Sequence, residues 1–291
     1  MSSGPKTTNP QESGEAFGVL RRSLSLGGFL AAMQWGRKGF AFAFLTLAVL
    51  AFAQSMFEYT DAKGKIVLRS KTGLLTLPKE NFYHFDLRGN VSVTSKNEGV
   101  TITAAQSEGD IGQAPNSKES EVQRATASGG IKLVRTASKA PGGVTTLTGS
   151  SMVYNNRGTE SFVTVNGSVH ITSTNPKKHQ ILDATGSNGD ATLLSESKGK
   201  DDPLRMANLD GNVKVTVNQA AVAGKPQAHI VATGRHLNVD NTSKPMKLTL
   251  TGGVKMTGSQ GGQFGSLSNV DKVEITVNEK GEMLDFKAGS S

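Results

Sequence analysis

The 291-residue chain has no cysteine, one tryptophan and only 5% aromatic residues. The missing thiols exclude disulfide frameworks, cysteine nucleophiles and every Cys-ligated zinc or iron–sulfur site. Few aromatics and the absence of basic–aromatic interleaving argue against nucleic acid as a partner. Charge of one sign is scarce too. The formal net charge of +8 falls to +5 once residues 1–53 are set aside, leaving 27 basic against 22 acidic residues. That mildly basic balance is compatible with an anionic partner without requiring one.

No apolar run is long enough to span a bilayer as a helix. The longest, residues 39–53, is 15 residues of GFAFAFLTLAVLAFA, against the roughly 20 a spanning helix needs. It follows Arg37 and Lys38 and ends in Ala51-Phe52-Ala53, the arrangement of a basic n-region, an apolar h-region and a small-x-small cleavage site. The expectation is export through a cleaved signal peptide, with retention of residues 39–53 as an inner-membrane anchor as the alternative. Cleavage would remove Trp35 and leave a chain without tryptophan. Residues 1–32 read as a disordered polar extension, and Met33 is a second candidate start beside Met1. The expected organisation is therefore 1–53 as extension plus signal and 54–291 as one repetitive domain.

What is present is 34 glycines among Thr-, Val-, Ser- and Asn-rich segments, the composition of strands and turns rather than helices. One phrase recurs. It begins at Gly89-Asn90, Gly129-Gly130, Gly167-Ser168, Gly211-Asn212 and Gly252-Gly253, at intervals of 40, 38, 44 and 41 residues. Each phrase continues with apolar residues two apart: Val91 and Val93, Ile131 and Leu133, Val169 and Ile171, Val213 and Val215, Val254 and Met256. Ser92, Lys132, His170, Lys214 and Lys255 fall between them. Strict alternation predicts half-buried strands with one apolar and one wet face. The Gly-Asn, Gly-Gly and Gly-Ser pairs supply the positive φ of a tight hairpin turn, so Phe162–Ile171 and Leu248–Met256 are each expected to form a two-stranded hairpin. Each repeat should hold three or four short strands. Residues 108–121, 141–143 and 195–203 read as solvated loops.

Segments such as Phe85-Asp86-Leu87-Arg88-Gly89-Asn90, Ile181-Leu182-Asp183-Ala184-Thr185-Gly186 and Leu248-Thr249-Leu250-Thr251-Gly252-Gly253, recurring over residues 80–260, resemble the OstA-like family of lipopolysaccharide transport, which includes LptA and LptC. The resemblance implies an all-β fold, an elongated folded-over antiparallel sheet of the β-taco or β-jellyroll kind. It further implies a periplasmic protein that binds lipopolysaccharide or another acylated lipid between its sheet faces and joins other β-jellyroll envelope proteins end to end by strand addition. On that reading the ten alternating residues Val91, Val93, Ile131, Leu133, Val169, Ile171, Val213, Val215, Val254 and Met256 line the lipid slot. The same periodicity equally describes a dry core.

Chemistry is sparse. His84, His170, His179, His229 and His236 lack metal-ligand spacing, although His229 and His236 flank an expected turn and could approach each other. No G-x-S-x-G elbow occurs, and Gly186-Ser187-Asn188-Gly189 lacks the lysine of a phosphate loop and reads as a turn. No enzyme, cofactor or metal is expected. A structural or adhesive β-repeat protein of the cell envelope is the alternative function, and a right-handed β-helix acting on polysaccharide is disfavoured by the long period.

Overall fold

The structure is a computed structural model that describes Val19–Leu20 and residues 56–113, 119–138, 141–176, 180–195, 202–221, 227–242, 244–260, 263–278 and 283–289. Residues 39–53, expected to be a signal or anchor, and His179 lie outside the described residues.

Among the described residues every regular element is a strand: β1 (Val19–Leu20), β2 (Phe57–Thr60), β3 (Ile66–Ser70), β4 (Thr72–Lys79), β5 (Phe82–Ser95), β6 (Val100–Gln113), β7 (Ser120–Thr136), β8 (Val144–Asn156), β9 (Glu160–Asn175), β10 (Gln180–Leu194), β11 (Leu204–Gln219), β12 (Ala228–Asp240), β13 (Met246–Gln260), β14 (Gln263–Val277) and β15 (Met283–Gly289). All pair antiparallel in one meandering sheet ordered β1-β2-β3-β5-β6 and onward to β15, with β4 attached to β5. Among the described residues no pair closes the sheet into a barrel. At about 4.8 Å per strand it extends roughly 60 Å. The expected all-β, elongated sheet is thus what the chain forms, with one ~40-residue repeat corresponding to two long strands.

The Gly pairs do something other than expected. Phe162 to Ile171 belong to β9 alone, and Leu248 to Met256 to β13 alone, so neither is a hairpin. Each pair instead sits mid-strand with both residues at positive φ, for example 82° and 79° at Gly129 and Gly130, and 77° and 50° at Gly211 and Asn212. In the ladder two residues of the odd-numbered strand face one on its even-numbered partner: Arg88 pairs Gln106 and Val91 pairs Ala104, leaving Gly89 and Asn90 against Ala105. The same two-against-one step recurs in β7/β8, β9/β10, β11/β12 and β13/β14. Such bulges bend a strand and raise its local twist. Aligned across the sheet they make a crease. Glycine is required at its tightest points: a Cβ on Gly129 would lie 2.5 Å from the Ala105 Cβ.

The crease folds the sheet into two leaves. Leaf one carries β1 to β3, the halves after the crease in β5, β7, β9, β11 and β13 and those before it in β6, β8, β10, β12 and β14; leaf two carries β4, β15 and the remaining halves. Burial alternates on both sides, with Ser161, Val163 and Val165 buried before the crease of β9 and Val169, Ile171 and Ser173 after it. The inward side chains of the two leaves form one apolar cluster from Tyr59 to Val277. Burying each Val, Ile or Leu in it contributes about 1.5–3 kcal/mol.

Of the expected loops, residues 141–143 lie between β7 and β8, while 114–118 and 196–201 fall outside the described residues; Glu108 to Gln113 continue β6 and Ser120 and Glu121 begin β7. Gly186 to Gly189 are not a turn but the crease segment of β10. His229 and His236 do not meet, because both belong to β12 and fall on opposite sides of its crease.

Candidate functional site

All ten alternating residues point into the space between the leaves. They occupy leaf one on β5, β7, β9, β11 and β13, and the least buried, Met256, is 8% exposed. Leaf two supplies an equivalent set that the phrase-based reading does not include: Phe85, Leu87, Ala125, Ala127, Val163, Val165, Ala207, Leu209, Leu248 and Leu250. Their sequence signal is the same two-residue beat, carried by the lead-in segments before each Gly pair. Reading those segments as separate strands hides that they face the same interior.

The interior is bounded differently on each side. The crease closes one long side. At the two ends of the sheet the inward Leu75 and Leu267 are only partly buried, while the exposed Leu74, paired with Asp86, and Phe264, paired with Ser259, lie on the outer faces. At the first of these ends the Tyr59 and Tyr83 rings meet across the leaves, 5.8 Å between centroids. Burial holds the Tyr59 phenol well above its ordinary pKa.

The remaining long side, where the strands end, is closed by polar contacts. Glu98, in the loop joining β5 and β6, reaches from leaf one to leaf two. Its Oε1 accepts from Tyr154 Oη at 2.7 Å and from Asn156 Nδ2 at 2.6 Å, and its Oε2 accepts from the Val122 amide at 3.4 Å. Asn156 Nδ2 also donates to Glu121, and Tyr154 Oη lies 2.9 Å from Ser161 Oγ. From the end of β7, Arg135 donates through Nε and Nη2 to the Leu194 carbonyl of leaf two, at 3.0 and 2.7 Å. Glu98, Arg135 and Tyr154 are all buried. Further along, Asn175 and Asn241 both donate to Asp202, beside a niche of about 10 Å³. An ion pair between Arg205 and Glu160 flanks a shallow surface recess of about 360 Å³. None of the ten alternating residues lines either hollow.

This polar seam is legible only in part. Arg135 continues the inward phase of Ile131 and Leu133, and an arginine in that phase is the one local sign of a buried charge. Glu98 and Tyr154 are 56 residues apart and show nothing locally.

Burial raises the Glu98 carboxyl above its ordinary pKa of 4.5, against the opposing pull of its hydrogen-bond donors and Arg135. Burial likewise raises Glu121, with the Glu98 charge adding to it. A group whose folded pKa lies above its unfolded value favours the folded state most when protonated, so its contribution is complete below about 4.5 and lost as pH rises through the folded value. The wild-type melting temperature should therefore carry a component that falls as pH rises from about 4.5. Glu98→Gln, which keeps an acceptor for Tyr154 and loses the charge, should remove it. Parallel pH profiles for the two proteins would refute this assignment.

On the outer faces, His84 hydrogen-bonds Asp110, His170 bonds Asp183, His236 bonds Asp210 and His229 bonds Asn218. These are cross-strand pairs, and among the described residues no group of three or more His, Asp and Glu is arranged to hold a metal. No helix among the described residues is long and apolar enough to cross a membrane. No protein-family model matches the chain, and no curated protein or solved structure matches it significantly.

Proposed function

We propose that this chain is a non-enzymatic lipid-binding or lipid-transport scaffold of the bacterial envelope, acting in the periplasm in the manner of LptA-type proteins and carrying a lipopolysaccharide-type acylated lipid toward the outer membrane. The observation that carries the reading is a two-leaved interior lined with Val, Ile, Leu and Met whose end strands leave inward apolar side chains only partly buried, Leu75 at one end and Leu267 at the other. An acyl chain entering such a space gains roughly 0.8 kcal/mol per buried methylene and needs no directional chemistry. Entry requires the leaves to part. The seam side permits this most readily, since polar contacts rather than backbone ladders cross it. The sheet's free edges suit strand addition by other β-jellyroll proteins.

The competing reading is a ligand-free structural or adhesive β-repeat protein, favoured by how completely the ten lining residues are already buried. Organic extraction of protein purified from its native envelope, followed by mass spectrometry, separates the two. Lipid transport predicts about one acylated lipid per chain. Photo-crosslinkers at Leu77, Leu267, Val91, Ile171 and Val215 should then label lipid, while those at the outward Lys132 and Lys214 should not. A lipid-free extract together with unlabelled interior positions would leave the scaffold reading.

A further inference from the structure

The two outer faces of the folded sheet differ in charge. Leaf two presents Asp86, Glu108, Asp110, Asp190, Asp210, Asp240 and Glu274 on its outward positions. Over β5 to β13, leaf one presents a single carboxylate among the described residues, Asp183, which is bound to His170. The rest of that face is mostly threonine, with serine, Asn218 and the apolar Val134, Ile181 and Val231 among it and lysines at intervals.

The ladder registers align these lysines with His170. Thr103 pairs Lys132, Lys132 pairs Thr148, Thr148 pairs His170, His170 pairs Thr185, Thr185 pairs Lys214, Lys214 pairs Thr233 and Thr233 pairs Lys255. One straight row across eight strands thus alternates threonine with Lys132, His170, Lys214 and Lys255. His170 is engaged with Asp183, so the lysines of the row stand four strand spacings apart from Lys132 to Lys214 and two from Lys214 to Lys255, about 19 and 9.6 Å. Lys132, Lys214 and Lys255 are exposed, and among the described residues no carboxylate pairs with them. The row arises because the crease repeats every second strand and fixes the same phase in each odd-numbered strand.

We propose that this row is a binding track for a linear acidic polysaccharide carrying one carboxylate on every second sugar, the lysines meeting the carboxylates and the threonine hydroxyls between them meeting sugar hydroxyls. Three properties of the face select this occupant. The wide intervals between the lysines match sparse charge, whereas a DNA strand carries one phosphate per roughly 3.4 Å. No aromatic side chain is available on the row for base stacking. At about 20° of twist per strand the row turns through roughly 120° between β7 and β13, which a flexible chain follows and a flat bilayer does not. The track is on the outside and does not depend on whether the interior takes lipid.

The test uses hyaluronan, a polymer with one carboxylate per disaccharide, titrated against the purified chain at low salt by biolayer interferometry. Exposed ion contacts of this kind each change affinity about two- to fivefold. The Lys132→Thr/Lys214→Thr/Lys255→Thr variant should therefore bind at least about tenfold more weakly. The charge-matched leaf-two variant Arg124→Thr/Lys247→Thr/Lys272→Thr should bind as wild type does, and neutral dextran should not bind. The proposal is overturned by wild-type protein that ignores hyaluronan, by equal losses in both triple variants, or by phosphatidylglycerol vesicles binding through the leaf-one lysines while hyaluronan does not.

Discussion

Phe85→Ala is expected to destabilise the protein by about 3–5 kcal/mol, lowering the melting temperature by on the order of 10 °C. Phe85 is completely buried on β5, and its ring lies over Gly109 of the neighbouring β6, where a Cβ would stand 2.7 Å from the ring Cζ. The glycine leaves the space that the ring fills, so removing the ring opens a cavity bounded partly by backbone, which relaxes poorly. Gly109→Val should be comparably damaging for the opposite reason, because its Cβ would come within 2.3 Å of the Arg124 carbonyl. That clash with backbone persists when the ring is gone, so the double variant should not recover. Gly265→Ala, where a Cβ meets nothing within 4 Å, is the control and should melt as wild type does. Thermal unfolding by circular dichroism checks all four; a Phe85→Ala protein within 1 kcal/mol of wild type would mean that the leaves are not packed against each other as described.

Arg135→Ala is expected to cost a similar amount, about 3–5 kcal/mol, with a different signature. The guanidinium is buried, donates twice to the Leu194 carbonyl and opposes the Glu98 charge. Removing it leaves a buried carboxylate with less compensation and a carbonyl without those donors, which is the costly way to break a buried ionic arrangement. The loss should therefore shrink when Glu98 is neutralised in the same protein, so that Arg135→Ala/Glu98→Gln lies closer to wild type than the sum of the single changes. Chemical denaturation of the four corners of that cycle measures the coupling. Strict additivity would show that the two residues act independently. If the interior exchanges lipid through the seam, the same variants should load faster even where they are less stable.

The two-residue beat of Val91 and Val93, or Val213 and Val215, was sufficient to predict strands, their inward face and the sheet's repetitive length, because alternation is dictated by the pleat itself. The crease was not legible. Gly252-Gly253 and Gly211-Asn212 have the chemistry of a hairpin turn, two positive φ angles in succession, and nothing local distinguishes a turn that reverses the chain from a bulge that bends it. The distinction is made across the ladder, by the single residue opposite, Ala105, Ser150, Ser187, Arg235 or Asp271, and those five share no one recognisable type. For the same reason the leaf-two lining from Phe85 to Leu250 was visible as strands but not as the other wall of the interior. The seam needed the fold outright: Glu98, Tyr154 and Arg135 come together only because two strand ends and a loop meet after the sheet has doubled over.

A crease assembled from pairs, one strand with the extra residue and one without, also restricts how such a molecule can change size. Gaining or losing a single strand would set two bulged strands, or two plain ones, side by side and throw the apolar phase of everything beyond to the wrong side. Growth by whole doublets of about forty residues preserves that phase and lengthens the protein by roughly 9.6 Å each time. The span of the molecule is thereby quantised, and its natural unit of duplication is the doublet.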